Sequence, residues 1–466
     1  MSFENLGLNE TLTRALTAAG YTEPTSVQAD AIPAALAGRD LMVSSRTGSG
    51  KTASFMLPAL TLVLKAREQG RLERAAAPKP AAPVPAEAPR EQRDARDPRD
   101  QRFERPRRFE APRGPRVLVL CPTRELAMQV SKAAMDYGRY VPGLSVATIV
   151  GGVPYPAQLR ALRGPLDILI ATPGRLIDHL GAGKAVLENI EMLVLDEADR
   201  MLDMGFIDDI NHIATATPAK RQTVMFSATF SGATGNLARD LLRDPQRIDV
   251  ASATTTHTDI EQRLHWADDF GHKNALLDHI LTRQEVEQAL VFTSTQRDAE
   301  VLADRLAEMG HSVDALHGGM PQGRRNRVLA NLRSRRLRVL VATDVAARGI
   351  DVPSISHVIN FGLPMKEEDY VHRIGRTGRA GRTGLAVTLA ERRDFGMIQR
   401  IQRFTTQRIP AATISGLEPQ RAEPKATARP AGAPAGKSYG PRPFGNKPFK
   451  PAGKVFAKKT GPRPAR

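Results

Sequence analysis

The sequence has very few of the residues that build covalently or metal-stabilised small domains. Its 466 residues include one cysteine and one tryptophan, and aromatic residues make up only 5% of the chain. The single cysteine, Cys121, excludes an intramolecular disulfide framework and a zinc site built from several cysteines. We therefore expect Cys121 to be a small buried residue in a reduced, cytoplasmic protein.

Long hydrophobic runs are also missing. No segment approaches the roughly 18 consecutive apolar residues that a membrane span needs. The first residues, Met1 to Asn5, do not begin a basic stretch followed by an apolar core. We expect neither a secretory signal nor a membrane partner.

Acidic charge is scarce relative to basic charge. Lysine and arginine number 67 against 50 aspartates and glutamates, which gives a formal net charge of +17. Residues 418–466 alone hold twelve lysines and arginines against two glutamates. Such a surplus indicates a polyanionic partner, nucleic acid ahead of an anionic membrane surface. A solubilising tail without a specific partner is the alternative for this segment.

Short apolar runs alternate with helix-length segments in two series. Uniformly apolar runs of this length are typical of parallel strands covered by helices on both faces. The pattern predicts an α/β protein of two lobes, each an open, mostly parallel sheet with helices on both faces. The runs lie at 41–43, 117–120, 146–150, 166–170, 192–195 and 223–226, then at 289–292, 339–341, 357–359 and 385–389.

Segments without hydrophobic periodicity divide the chain further. Residues from about 71 to 115 are rich in alanine and proline and then in charged residues, which predicts a disordered insertion. The insertion is either a tolerated surface loop or an accessory RNA contact. The predicted organisation is an N-terminal extension (1–30), a first lobe (31–250), a linker (251–260), a second lobe (261–413) and a basic disordered tail (414–466).

A glycine-rich loop follows the first apolar run. A strand-to-helix turn at this place points backbone N–H groups at phosphates. Lys51 would meet the β- and γ-phosphate charge of a nucleoside triphosphate, and the Thr52 hydroxyl would reach Mg²⁺. Ser45 stands where the strict pattern has glycine, so a chance turn is the alternative for the loop taken alone. The expected cofactor-binding residues are Thr47, Gly48, Ser49, Gly50, Lys51 and Thr52.

Two adjacent carboxylates end the apolar run at 192–195. Open α/β sheets bind their ligands at the carboxyl ends of the strands. Asp196 would hold Mg²⁺, partly through water, and Glu197 would orient and deprotonate an attacking water. A solvated acidic turn is the alternative for the segment alone, but the pairing with Lys51 favours the metal and nucleotide site.

A basic run, His372 to Arg379, lies in the second series. Arg376 and Arg379 could stabilise γ-phosphate charge in the transition state if the second lobe faces the first. A solvated basic segment is the alternative. Other polar clusters also end apolar runs, and together they predict one continuous working surface along two sheet edges.

These motifs, in this order, make the chain resemble the DEAD-box RNA helicases of superfamily 2, and within them most closely the bacterial RhlE-like group. The resemblance runs from Phe3 to about Thr413 without the insertion. It implies two RecA-like lobes, ATP and Mg²⁺ as cofactors, and RNA as the partner. The implied activity is ATP hydrolysis coupled to local unwinding of short RNA duplexes or to remodelling of RNA–protein complexes.

The resemblance also implies roles for single residues. Gln28 would read the adenine edge, Phe3 would pack on the base, and Asp351 would lie near the ribose. Ser227 and Thr229 match the motif that couples hydrolysis to strand separation, and Arg376 and Arg379 match the arginine fingers. With Lys51, Asp196 and Glu197, these arginines complete the predicted catalytic set.

The residues implied to bind RNA would contact phosphates and 2′-hydroxyls, so binding should be largely independent of sequence. The RNA-binding residues implied in the first lobe are Thr123, Arg124, Gly152, Thr172, Gly174 and Arg175, and those implied in the second lobe are Thr293, Gln322, Arg325 and Thr343.

The sequence departs from the family pattern at three places, which are Arg46, Gly319 and the long insertion.

Two other functions are compatible with parts of this pattern. One is an ATP-gated RNA clamp without catalysis, against which Glu197 and the two arginines count. The other is a DNA helicase of the same superfamily. Protein partners, such as ribosome-assembly or RNA-decay factors, are left open.

Overall fold

The computed structural model describes residues 2–44, 50–76, 114–249, 259–347, 350, 352, 354–379 and 382–424, with the backbone alone for 74–76. Most of the predicted insertion (77–113), residue 250, most of the predicted linker (251–258) and the tail beyond 424 lie outside the described residues. Among the described helices, none is long and apolar enough to cross a membrane.

The first lobe (residues 2–249) is built on a seven-stranded parallel sheet with the strand order β3-β4-β2-β5-β6-β1-β7. A 3-10 helix, Phe3–Leu6, precedes its first α-helix. Its elements are α1 (Glu10–Ala18), α2 (Ser26–Leu36), β1 (Leu41–Ser44), α3 (Lys51–Ala76), β2 (Val117–Leu120), α4 (Arg124–Tyr137), β3 (Val146–Ile149), α5 (Tyr155–Leu162), β4 (Ile168–Ala171), α6 (Pro173–Gly181), β5 (Met192–Leu195), α7 (Ala198–Asp203), α8 (Ile207–Thr215), β6 (Gln222–Ser227), α9 (Gly232–Leu241) and β7 (Gln246–Asp249).

The second lobe (residues 259–424) is built on a six-stranded parallel sheet with the order β10-β11-β9-β12-β13-β8. The predicted fold class, two open parallel α/β sheets, is thereby confirmed. The elements of the second lobe are β8 (Ile260–Ala267), α10 (Phe270–Thr282), β9 (Ala289–Thr293), α11 (Gln296–Glu308), β10 (Val313–Leu316), α12 (Gln322–Arg333), β11 (Val339–Thr343), α13 (Asp344–Ala347), β12 (His357–Asn360), α14 (Glu367–Ile374), β13 (Gly384–Glu391) and α15 (Phe395–Thr405).

Alternating side chains of the central strands fill two cores, one on each face of a sheet. In β2, Val117 and Val119 belong to one buried cluster, whereas Leu118 and Leu120 belong to the cluster on the other face. The second sheet repeats this arrangement, because Val341 and Leu340 of β11 enter different clusters. Burial on both faces explains why these strands consist of uninterrupted apolar residues.

Register places the predicted functional segments along one edge of the first sheet. Leu120 pairs with Leu195, Leu195 pairs with Met225, and Ser44 pairs with Ser227, so the four strands end side by side. The residues that follow each strand therefore meet at the carboxyl edge, where open α/β sheets bind ligands.

Two predicted boundaries within the first lobe need correction. The extension at 1–30 is part of this lobe, because Phe3, Leu12 and Val27 are buried in its core, and residue 30 lies inside α2. The insertion does not begin at about residue 71, because α3 continues to Ala76. Leucine, glutamate, arginine and alanine in its last turns favour a helix, although they carry no apolar periodicity.

The second lobe likewise extends beyond its predicted end at 413. Ile414 is buried in the core of this lobe, and Leu417 packs against the same cluster. The backbone N–H groups of Gln420 and Arg421 donate to the carboxylate of Asp268 at 2.7 and 3.1 Å. Two apolar residues and one capping carboxylate therefore tie residues 414–421 to the lobe.

Candidate functional site

Asp196 is a buried carboxylate at the end of β5. Its side chain is only 2% exposed, and burial, with a further contribution from Glu197, raises its pKa to about 6, although the nearby charge of Lys51 opposes the shift. Its Oδ1 atom has no hydrogen-bond partner among the described residues. A buried oxygen of this kind is one that a bound cation would satisfy.

Glu197 stands next to Asp196 in an unusual backbone conformation. Its φ of 53° lies in the left-handed region, which residues other than glycine adopt rarely, and it is the N-terminal flanking residue of α7. The side chain is buried, and its Oε2 lies 3.7 Å from Nε of Arg200. The left-handed turn directs a second carboxylate into the same site as Asp196.

The opposite side of this site is the start of α3. Lys51 is the first residue of the helix and is 8% exposed, and Thr52 follows it, half-buried. The buried lysine is close enough to Asp196 that its positive charge lowers the pKa of the Asp196 carboxyl. Three predicted phosphate-binding residues, Thr47, Gly48 and Ser49, lie outside the described residues, as does Asp351.

Gln28 connects the N-terminal helices to the end of the phosphate loop. Its Oε1 accepts from the N–H of Thr25 at 2.9 Å, and its Nε2 donates to the carbonyl of Gly50 at 3.1 Å. These bonds use one of the two donors and one of the two acceptor positions of the amide. Among the bonds to described residues, one donor and one acceptor of the amide remain unused, which is the pair that an adenine edge requires.

Gly50 and Phe3 are held by close packing. The glycine has a φ of +87°, and a Cβ atom at this position would lie 2.5 Å from Nε2 of Gln28. Phe3 is 5% exposed and belongs to the first-lobe core cluster. The structure shows Phe3 packed in the core, and its contact with a base stays a prediction.

The residues present fit a magnesium-bound nucleotide. The site combines a buried cation, Lys51, with two buried carboxylates, Asp196 and Glu197. Within the described part of the chain, Oδ1 of Asp196 has no hydrogen-bond partner. Thr52 adds a hydroxyl beside the lysine. This donor set of oxygens is the one that Mg²⁺ prefers in phosphate sites.

Ser227 and Thr229 form a tight turn after β6. The Ser227 hydroxyl donates to the carbonyl of Thr229 at 2.6 Å and accepts from its N–H at 3.3 Å. Between them, the N–H of Ala228 donates to Asp199 at 3.2 Å, and the same Asp199 oxygen lies 4.0 Å from Nε2 of His372 in the second lobe. The predicted coupling turn is therefore one residue away from the other lobe.

Arg376 and Arg379 lie side by side in the second lobe. The Nη1 atoms of both donate to the carbonyl of Ile350, at 3.0 and 3.3 Å. Their Nε atoms donate to the carbonyls of His372 and Gly375 in the preceding turn of the chain. Their own backbone thus holds the two predicted fingers in one cluster.

Predicted RNA-binding residues of the two lobes contact each other. Nη1 of Arg124 donates to Oε1 of Gln322 at 2.7 Å, and its guanidinium packs so closely on Gly152 that a Cβ there would lie 2.3 Å from Nη1. Arg325 donates twice to Glu125, at 3.0 and 2.7 Å. Four of the predicted residues therefore meet at one place.

The remaining predicted RNA-binding residues lie at the ends of strands. Thr123 caps α4 and accepts from Leu126, while Nη1 of Arg175 donates to the carbonyl of Val153, directly after Gly152. Thr172 and Gly174 flank the start of α6. Thr293 and Thr343 are paired across β9 and β11. The structure thus places these predicted RNA-binding residues in two groups, one on each lobe.

Sequence reasoning missed the acids and bases that link the lobes. Glu125, Asp199, Arg200, Asp369 and His372 received no role, although all adjoin predicted site residues. Arg200 lies 3.8 Å from Asp369, and both are buried. Because a charged residue next to a motif is ordinarily solvated, only the burial of these side chains singles them out.

Comparisons with known proteins identify the family of this chain. Residues 25–237 match the DEAD/DEAH box helicase family, and residues 271–381 match the helicase conserved C-terminal domain. The chain is 40% identical over 424 residues to the ATP-dependent RNA helicase SrmB of Escherichia coli, covering 91% of this chain and 86% of SrmB. It is 38% identical over 417 residues to the ATP-dependent RNA helicase DeaD of the same organism, covering 90% of this chain and 59% of DeaD.

A solved structure extends the comparison to the fold. S. cerevisiae Dbp5 bound to RNA and ADP BeF3 matches with a TM-score of 0.70 and 28% identity, over 88% of this chain and 95% of that chain. These relatives do not test the resemblance to the RhlE-like group, which stays a prediction. Family match, sequence identity and fold together show that the chain belongs to the DEAD-box family of ATP-dependent RNA helicases.

Proposed function

We propose that this protein is an RNA-dependent ATPase that locally unwinds short RNA duplexes or remodels RNA–protein complexes. The observation that carries the proposal is the pair Asp196 and Glu197, which is buried beside Lys51. Asp199 and Arg200, two and three residues after Glu197, lie next to residues of the second lobe. An ATP site placed at such an interface makes hydrolysis depend on how the lobes meet. We further propose a cytoplasmic location, in keeping with the single buried cysteine.

In this proposal each polar residue of the first lobe has one task at the nucleotide. Mg²⁺, when bound, would neutralise phosphate charge, and Thr52 and Asp196 would hold it, partly through water. Lys51 binds the β- and γ-phosphates, and Gln28 uses its remaining donor and acceptor on adenine. Glu197 orients the attacking water and accepts its proton.

The second lobe completes the site. Arg376 and Arg379 exchange their carbonyl partners for the γ-phosphate and stabilise the charge that develops on it. Because both arginines belong to the second lobe, turnover requires the lobes to be together. Phe3 against the base, Asp351 near the ribose, and the loop residues Thr47, Gly48 and Ser49 belong to the same proposal.

RNA is the ligand that we propose brings the two lobes together. Dbp5, a structural relative, is bound to RNA in its solved structure. In this chain the guanidinium and amide groups of Arg124, Gln322 and Arg325 lie where the lobes meet, so one RNA backbone can contact both lobes. Contacts of this type read phosphates and 2′-hydroxyls and leave the base sequence unread. The ten predicted RNA-binding residues therefore keep that proposed role.

Glu197→Gln tests the assignment of the base. The variant should bind ATP and RNA normally but lose ATPase activity by about 100-fold or more, because the amide cannot accept the proton of water. Steady-state ATPase with saturating RNA measures turnover, and fluorescence anisotropy of labelled RNA and nucleotide measures binding. Glu191→Gln is the matched control, since this half-exposed carboxylate lies on the same lobe before β5.

Two outcomes would contradict the proposal. Normal turnover in Glu197→Gln would remove the residue from catalysis. Equal stimulation of wild-type ATPase by RNA and by DNA of the same length would contradict RNA as the partner and favour the DNA helicase alternative.

A further inference from the structure

Arg200 is a buried cation between the two lobes. Its side chain is 3% exposed. Nε lies 3.7 Å from Oε2 of Glu197 in the first lobe, and Nη1 lies 3.8 Å from Oδ1 of Asp369 in the second lobe. Arg200 therefore pairs with both Glu197 and a carboxylate of the opposite lobe.

Neither ion pair is a hydrogen bond. Both distances exceed hydrogen-bonding range, and Nε and Nη2 of Arg200 have no hydrogen-bond partner among the described residues. A guanidinium cannot release its proton to relieve such burial, so its charge must be balanced by neighbouring carboxylates. A small shift would bring it into hydrogen-bonding contact with either Glu197 or Asp369, but the two directions compete.

Asp369 moves with the predicted arginine fingers. It lies on α14, which also carries His372 and ends directly before the turn that leads to Arg376. Arg200, Asp369, His372 and Arg376 line one cavity of about 10 Å³, about the size of a single water. Arg200 is the one first-lobe residue in this lining, so a displacement of the second lobe that moves Arg376 away from Arg200 also moves Asp369 away from it.

We propose that Arg200 is a positioning residue that makes the aim of Glu197 depend on the arrival of the second lobe. Without Asp369, the guanidinium faces only first-lobe carboxylates, Glu197 and Asp199, and holds Glu197 in an ion pair away from the attacking water. When α14 arrives, Asp369 takes the guanidinium, and Glu197 is released to act as the base. The inference rests on the proposed function of Glu197 and adds the link between the base and the lobe that carries the fingers.

The test is a double-mutant cycle on RNA-stimulated ATPase, with Arg200→Gln, Asp369→Asn and the double variant. Arg200→Gln should lower kcat by about 10- to 100-fold because a misaimed base is costly at this scale. The KM for ATP and the half-saturating RNA concentration should stay within about twofold, because a positioning residue that is buried between two carboxylates acts on turnover and not on binding. The double variant should be no slower than Arg200→Gln alone, since both changes break one link.

Two further variants separate positioning from folding. Arg200→Lys keeps the charge without the planar fork and should recover part of the lost kcat. Asp203→Asn removes a different ion pair across the lobes, that with Lys366, whose side chain is 58% exposed, and should leave kcat within about twofold. If Arg200→Gln melts at a much lower temperature, Asp369→Asn alone carries the test and must lower kcat by about fivefold or more at unchanged KM.

The outcomes also distinguish this inference from the proposed function. Additive losses from Arg200→Gln and Asp369→Asn, or a normal kcat in both, would overturn the positioning role while Glu197→Gln stays inactive. An active Glu197→Gln variant would instead overturn the proposed function on which the inference rests.

Discussion

The two lobes handle buried charge in opposite ways. In the first lobe, Asp196 is buried and its Oδ1 has no hydrogen-bond partner among the residues that the structure describes, and burial also raises the pKa of Asp199. In the second lobe, Arg373 is just as buried, yet its guanidinium donates to both oxygens of Asp344 at 2.6 and 2.7 Å and to the carbonyl of Gly362 at 2.5 Å. It also lies 4.8 Å above the ring of Phe292.

This difference separates a ligand site from a scaffold. A buried carboxylate oxygen without a hydrogen bond is destabilising until a cation binds, which is the role proposed for Asp196. The bidentate pair of Arg373 and Asp344 in the second lobe already satisfies its charges. Of these two buried groups, Asp196 is therefore suited to a ligand and Arg373 to support of the fold.

The largest change in the free energy of unfolding is expected when the ion pair between Arg373 and Asp344 in the second lobe is broken. Asp344→Ala leaves Arg373 buried without its carboxylate and should lower the free energy of unfolding by about 3–5 kcal/mol. Urea unfolding followed by circular dichroism measures the loss. Glu287→Ala is the matched control, because its pairs with Arg335 and Arg382 are half-exposed and should contribute under about 1 kcal/mol. Equal losses in the two variants would contradict the comparison.

A smaller effect is expected from mild acid on the second lobe. Burial, with the charge of Arg263, lowers the pKa of His265 to about 4, so the folded protein keeps it neutral while the unfolded chain protonates it below about pH 6.5. Stability is therefore lost as the pH falls from 6.5 towards 4, by about 2 kcal/mol between pH 7.5 and 5. Unfolding of wild type and His265→Gln at both pH values should differ by this amount; a parallel loss in the two proteins would exclude His265 as the cause.

The smallest effect is expected in the first lobe and has the opposite sign. Asp196→Asn should abolish ATPase activity but raise the free energy of unfolding of the nucleotide-free protein by about 1–2 kcal/mol, because a buried charge is replaced by a neutral amide. Melting in EDTA measures the gain. Adding Mg²⁺ and ATP should reverse the ranking, since only the wild type gains ligand-binding free energy. A less stable apo variant would show that Asp196 is already satisfied.

Sequence patterns predicted the sheet centres better than the sheet edges. Every strand placed from an apolar run is present, whereas β7, β8 and β10 were missed. All three are edge strands. Only one face or part of each is buried, so they read as mixed sequences such as Gln246–Asp249, and no uniform apolar run marks them.

The residues of the candidate site also differ in whether the sequence pointed to them. That Lys51, Asp196 and Glu197 lie close together was predictable because they follow parallel strands of one sheet in a fixed order, and their roles stay proposals. Asp369 and Arg200 were not, since their meaning lies in a contact between positions 169 residues apart along the chain. Long-range pairing of ordinary charged residues leaves no local pattern, and only the folded arrangement of the lobes reveals it.

The close packing of Arg124 on Gly152 has a consequence for reading mutational scans. Any side chain at position 152 must displace the guanidinium, and the φ of +74° already disfavours every residue except glycine. A substitution at this glycine will therefore copy the phenotype of losing Arg124, whether or not the glycine ever touches a ligand. Sensitivity at residue 152 reports on its neighbour, and only a pairwise comparison with Arg124→Ala can assign a contact to the glycine itself.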